Sequence, residues 1–225
     1  MQREAPPPAN EPVANGAADR PASNPFSTRH VRPGAIPYFF PDGTTLETLV
    51  ERLAASGWQG EVVGPHGSGK STLLAALVPC IERTGRRVAI YRLHEGERRL
   101  PATPRDMHAL AANDVVAVDG YEQLPGWRQW LLRRSCTRRG IGLLATTHAP
   151  TGLPLLWQTS VDLASLERVV AHALASQSRL EPAIGREEIA AALAAHPTNA
   201  REALFALYDA VERRRRDALP GEPLP

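Results

Sequence analysis

Eight consecutive residues, Gly64-Pro65-His66-Gly67-Ser68-Gly69-Lys70-Ser71, carry the spacing of a phosphate-binding loop, G-x-x-x-x-G-K-[ST]. Lys70 is the only lysine among 26 basic residues, so 25 are arginine. A chain that otherwise uses arginine needs a lysine-specific reason here. A compact ammonium on a flexible stem reaches β- and γ-phosphates as a point charge, where a planar guanidinium is too bulky for the loop. Successive backbone N–H groups of such a loop converge on an anion, and the following helix adds the positive end of its dipole. Gly64, Gly67 and Gly69 permit the tight turn and the close approach of backbone to phosphate. Ser71 is then placed to hold a Mg²⁺ ion, and Pro65, His66, Ser68 and Thr72 complete the stretch expected to wrap the phosphates. A second carboxylate position stands out at Asp119, which closes the apolar run Val115-Val116-Ala117-Val118. Some fifty residues beyond a phosphate loop, it is expected to hold the same Mg²⁺.

These residues need a particular framework. The loop requires a strand before it and a helix after it. Glu61-Val62-Val63 is β-prone, and Leu73, Leu74, Leu77, Val78 and Ile81 follow helical spacing up to Gly85. Upstream, Thr44 and Glu47 read as a capping box for a helix bearing Leu46, Leu49, Val50 and Leu53 and ending at Gly57. Further strands are predicted at 87–91, 115–119, 141–147 and 155–159. Helices are predicted from Pro104 to about Ala112, with Thr103 as cap, and from Trp127 to Arg138, closed by Gly140. Apolar strands alternating with helices predict a parallel α/β sheet covered on both faces. From Val161 the pattern is wholly helical, including a capping box of Asn199 and Glu202, and predicts a small C-terminal helical lid. The expected organisation is a disordered Pro/Ala-rich arm (1–32), a P-loop core (33–160), the lid (161–217) and a disordered tail (218–225).

Composition sets limits. The 225 residues are 43% hydrophobic and 5% aromatic, with a net charge of +2. Such near-neutrality argues against strong bulk affinity for nucleic acid. No apolar run is long enough for a membrane span, and no secretory signal pattern opens the chain, so a cytoplasmic protein is expected. Cys80 and Cys136 are too few for a disulfide framework or a zinc site and read as buried thiols.

Four segments taken in order resemble the signatures of AAA+ ATPases: Gly64–Ser71 as Walker A, Val115–Asp119 as Walker B, the strand end Thr146-Thr147 as sensor 1, and Asn199-Ala200-Arg201-Glu202-Ala203-Leu204 as sensor 2. The resemblance spans residues from about 33 to 217 and implies ATP as ligand and Mg²⁺ as cofactor. It implies that Thr147 contacts the γ-phosphate or the attacking water, and that Arg201 reaches the nucleotide from the lid. It further implies that Ile36 or Tyr38 lines the adenine pocket. His148 follows the sensor strand and is a candidate for phosphate contact. Two departures stand out. Such hydrolases usually place a glutamate directly after the Walker B aspartate, and here that position is Gly120. Glu122 can replace it if the glycine turns the strand end. The helix that usually carries an arginine finger is also missing, because Pro150, Gly152 and Pro154 crowd the connection to the fifth strand. Arg138 and Arg139 are substitutes at best.

The leading expectation is an ATP hydrolase or ATP-controlled switch with a protein partner or self-assembly. A P-loop small-molecule kinase is an alternative that would need an acceptor pocket. A non-hydrolysing module recruiting protein or nucleic acid is another. For that reading Arg133, Arg134, Arg138 and Arg139 offer a candidate patch, with a solvated helix face as the competing explanation.

Overall fold

The computed structural model describes Asn24, Phe26, Gly34 and residues 36–41, 43–175 and 184–218. Five parallel strands form one sheet: β1 (Gln59–Val63), β2 (Val88–Arg92), β3 (Val115–Asp119), β4 (Gly142–Thr147) and β5 (Leu155–Gln158), in the order β2-β3-β4-β1-β5. The helices are α1 (Leu46–Ala55), α2 (Lys70–Glu82), α3 (Pro104–His108), α4 (Gly126–Arg139), α5 (Leu163–Ala175), α6 (Arg186–Ala195) and α7 (Ala200–Ala218). β3 and β4 are buried almost throughout, which is why they read as continuous apolar runs rather than alternating ones.

One face of the sheet packs Leu49 and Leu53 of α1 and Leu73, Leu77 and Ile81 of α2 against Val62, Val115 and Leu144. The other packs Leu132 and Cys136 of α4 against Val116, Val118 and Leu143. Helices on both faces agree with the expectation for an α/β parallel sheet. Burial also pushes the Cys136 thiol up to about 11, so it stays protonated at neutral pH. The C-terminal helices have their own core, centred on Leu166, Val170, Ile189, Leu204 and Val211.

Local signals are mostly realised, with small shifts. Thr103 caps α3 in a reciprocal box with Asp106. Gly140 closes α4 in the left-handed region. The cap of α1 is Thr45, whose hydroxyl accepts from the Thr48 amide, rather than Thr44. A short 3-10 turn, Tyr121–Gln123, follows β3 and has no counterpart in the sequence reading.

The expected arm and tail lie largely outside the described residues, with a correction at Asn24 and Phe26. Phe26 is fully buried in the core of the C-terminal helices, and the Asn24 side-chain amide donates to the Tyr208 carbonyl (3.1 Å) and to Glu212 (2.8 Å). One large aromatic group in a segment of small and polar residues is enough to dock that point of the chain. No described helix is long and apolar enough to cross a membrane.

Candidate functional site

The carboxyl ends of the parallel strands border a cavity of about 1140 Å³, roofed by α5 and α7. This is the edge of an open α/β sheet where ligands bind. The loop 64–69 leaves β1 and delivers Lys70 as the first residue of α2. Gly69 sits at φ 94°, a left-handed conformation that favours glycine. Gly64 has no room for a side chain, since a Cβ there would lie 2.0 Å from the Thr159 hydroxyl. Ser68 bonds that hydroxyl at 2.6 Å and the Pro65 carbonyl at 2.8 Å, which pins the loop to the end of β5.

Lys70 is buried and curls back, donating to the carbonyls of Gly64 (2.7 Å) and Pro65 (2.6 Å). Burial lowers its pKa, and the carboxylates of Glu122 and Asp119 act in the opposite sense. Ser71 donates to Asp119 Oδ1 at 3.0 Å. The same oxygen accepts from Thr146 Oγ1 at 2.6 Å, and Thr146 in turn accepts from the Gly120 amide at 3.0 Å. A hydroxyl and a carboxylate side by side are hard oxygen donors of the kind Mg²⁺ takes. No cluster of three metal-ligating side chains occurs among the described residues, so the site does not resemble an all-protein metal cage.

Thr146, not Thr147, faces this chemistry. Thr147 is fully buried, and its hydroxyl has no partner among the described residues. Successive strand residues point to opposite faces. The β3–β4 register pairs Val118 with Ala145, which brings the next residues, Asp119 and Thr146, level. The sequence carried that signal in the alternation alone; the register was needed to use it.

Gly120 adopts φ 83° and ψ 37° and turns the chain sharply after β3. A Cβ there would approach the Leu93 carbonyl to 2.5 Å, so glutamate is excluded from that position. The turn instead carries Glu122 to the cavity. Its Oε1 lies 2.8 Å from His148 Nε2, while the buried Oε2 has no hydrogen-bond partner among the described residues. His148 Nδ1 is 3.2 Å from Lys70 Nζ. The same Nδ1 lies 3.3 Å from the Gly64 carbonyl oxygen, so the ring sits between the loop and Glu122. His66 stacks on His148 with ring centroids 3.6 Å apart. His148 therefore joins the loop to Glu122, a link without a motif to announce it.

Ile36 and Tyr38 also line the cavity, Tyr38 beside the loop, where a Cβ on Gly69 would lie 3.2 Å from its ring. Tyr38 accepts a hydrogen bond from Trp157 Nε1 (3.0 Å) and packs edge-on to Phe40. From α7, exposed Arg201 also lines the cavity, its guanidinium over Phe205 at 5.5 Å. Asn199 caps α7 by accepting from the Glu202 amide at 3.2 Å. The same Oδ1 lies 1.7 Å from where a Cβ on Gly67 would stand, so the helix start abuts the loop. The connection 148–154 contains no helix. It is held by buried Glu61, which accepts from the Thr151 amide (2.9 Å) and hydroxyl (2.6 Å). Arg139, considered as a finger, is bound to the carbonyls of Met107 and Leu110, both at 2.6 Å.

The five-stranded parallel sheet, the loop at the end of β1 and the C-terminal helices together make the fold of the AAA+ P-loop NTPases. The sequence matches no family profile and no curated protein. Solved structures place the fold. The Orc1 protein of Aeropyrum pernix, in complex with DNA, is similar with a TM-score of 0.59 at 15% identity over 83% of this chain and 63% of that one. NtrX of Brucella abortus, in complex with ATP, is similar with a TM-score of 0.54 at 18% identity over 83% of this chain and 55% of that one. The chain thus spans less than two thirds of either structure.

Proposed function

We propose that this protein binds Mg-ATP and hydrolyses it, with Glu122 acting as the base in place of the carboxylate that Gly120 excludes. The observation that carries this reading is the division of labour between the two oxygens of Glu122: Oε1 is held by His148, and buried Oε2 is left for a ligand. A carboxylate fixed at one oxygen and open at the other is placed to take a proton from water.

The residues then have separate tasks. Lys70 leaves the carbonyls of Gly64 and Pro65 for the phosphates, for which those carbonyls are neutral stand-ins. Backbone amides of residues 66–70 and the start of α2 bind the phosphate oxygens. Ser71 and Asp119 hold Mg²⁺, which when bound offsets charge on the phosphates. Thr146 fixes the rotamer of Asp119. Glu122 accepts the proton of the attacking water, and His148 is a positioning residue that orients it. Arg201 approaches the phosphates as the C-terminal helices move as a lid, with Asn199 against Gly67 as the point of contact.

The test is ATP turnover by the wild type, Lys70→Ala and Glu122→Gln, with ATP affinity measured beside it. Turnover by the wild type that falls about 100-fold in Glu122→Gln, with affinity retained, supports the reading. Equal turnover in Glu122→Gln removes Glu122 from the mechanism, and binding without turnover in the wild type leaves an ATP-controlled switch.

A further inference from the structure

Helix α4 has a face that the described residues leave uncovered. Its inner side buries Leu132 and Cys136, yet Trp127 is 60% exposed, Trp130 59% and Leu131 48%. Large apolar side chains gathered on a surface mark a binding site more often than a bare one. Positions 127, 130 and 134 are separated by three and four residues, so they share one side of the helix.

Its charge is just as one-sided. The fourteen residues of α4 include five arginines and no aspartate or glutamate. Arg133 is engaged by the Gly152 carbonyl and Arg139 by the carbonyls before β3, which removes two members of the patch expected from sequence. Arg128 and Arg134 instead lie over the rings of Trp127 and Trp130, at 4.7 and 5.4 Å. A groove of about 410 Å³ runs beside Trp127, between α4 and the segment from Arg99 to Ala102, and no acidic residue lines it.

We infer that this face binds single-stranded nucleic acid. The indole–guanidinium unit occurs twice, one helical turn apart, and so matches a ligand that repeats an aromatic base and a phosphate. Bases stack on exposed rings whatever their sequence, and arginines neutralise the phosphates between them. A protein hot spot has a different form, with a central anchor in a desolvated pocket and a polar rim around it. Duplex is disfavoured because its base faces are already stacked and closed to the indoles. The overall charge of +2 gives little bulk attraction, so affinity depends on this acid-free helix. The inference stands apart from the ATPase reading, because none of the residues that carry it takes part in the proposed hydrolysis.

The experiment uses the full chain and a fluorescently labelled oligothymidylate of about 20 nucleotides, long enough to span an ordinary single-strand site. Binding is followed by anisotropy from low to high salt. Saturable binding should weaken with salt, with a log–log slope of about −0.7 for each phosphate neutralised. Trp127→Ala and Trp130→Ala should each weaken it about tenfold. Arg128→Glu with Arg134→Glu should weaken it and flatten the salt slope, so either pair of variants decides the matter if the other fails to fold. ATP affinity should be unchanged in all of these variants, because the altered side chains lie outside the nucleotide cavity. Absence of binding at low salt overturns the inference. So does affinity that ignores the tryptophans, or a duplex of equal length bound as tightly. Polyglutamate bound in place of the oligonucleotide and lost in Trp127→Ala would assign the face to an acidic protein. Self-association lost in that variant would assign it to a second copy of the chain.

Discussion

The strand ends and the C-terminal helices form opposite walls of one cavity, but they hold their polar side chains differently. On the strand side the side chains are held in two linked groups, Lys70–His148–Glu122 and Ser71–Asp119–Thr146, by contacts between 2.6 and 3.2 Å. On the helix side Arg201 is exposed and lies over a ring of its own helix. The strand wall is therefore largely fixed by its own contacts, and Lys70 is the member that the proposed reaction requires to move. Under the proposed function the strand wall would serve grip and chemistry, and the helix wall would report on the ligand through where the helices sit.

Substitutions that break this contrast should differ in size and in kind. Lys70→Ala should cause the largest loss, abolishing measurable ATP binding along with turnover, at least about 10²–10³-fold in turnover. Nucleotide titration against the wild type measures it. Glu122→Gln should lower turnover about 100-fold while leaving affinity near the wild-type value. The same variant makes a signed prediction about pH. Glu122 raises the Lys70 pKa against the lowering effect of burial, so removing its charge should move the alkaline loss of ATP binding to lower pH. A titration of affinity against pH that gives the same alkaline limb in both proteins would contradict the coupling.

Gly67→Ala reaches across both walls. At φ 71° with Asn199 in the place of its Cβ, the substitution should force the start of α7 off the loop. A cost of about 1–3 kcal/mol in ATP binding, read by calorimetry, is expected. Arg201→Ala should be milder, about tenfold in ATP affinity or turnover, with stability unchanged because the side chain is exposed. An effect as large as that of Lys70→Ala would place Arg201 with the strand-side set and erase the contrast.

The smallest effect is a control far from the cavity. Asp114 is bonded by Arg87 (2.6 Å) and by the Ala111 amide (2.8 Å), and chiefly the Arg87 hydrogen bond holds its pKa below the ordinary value. A depressed carboxylate contributes stability that is present above about pH 4 and lost as pH falls through its folded value. Asp114→Asn should thus be slightly less stable than the wild type at neutral pH, and the gap should close in acid, as denaturant melts at two pH values would register.

Much of the strand wall was legible because its signals are local. The glycines, Lys70 and Ser71 are contiguous, and an apolar run ending in Asp119 marks a buried strand meeting solvent. Choosing between Thr146 and Thr147 was not local, since it turns on which residue of β4 stands beside Asp119, a matter of register between strands. The Glu122–His148 pair joins residues 26 positions apart, and only the parallel neighbours β3 and β4 bring their ends together. Asn24 and Phe26 were misread for a similar reason. Composition around them is that of an unstructured arm, and the surface that buries Phe26 is built from the other end of the chain.

By itself, the sequence determined that this chain folds as an α/β protein with a glycine-rich loop between its first strand and the next helix, because strand burial, helix periodicity and loop geometry are short-range consequences of residue order. Only the tertiary structure decided which hydroxyl meets Asp119, what fills the position that Gly120 leaves, and how the C-terminal helices touch Gly67. Each of those is a contact between distant segments. Hydrogen bonding and steric exclusion act over a few ångströms, and distances on that scale are fixed by packing rather than by spacing along the chain.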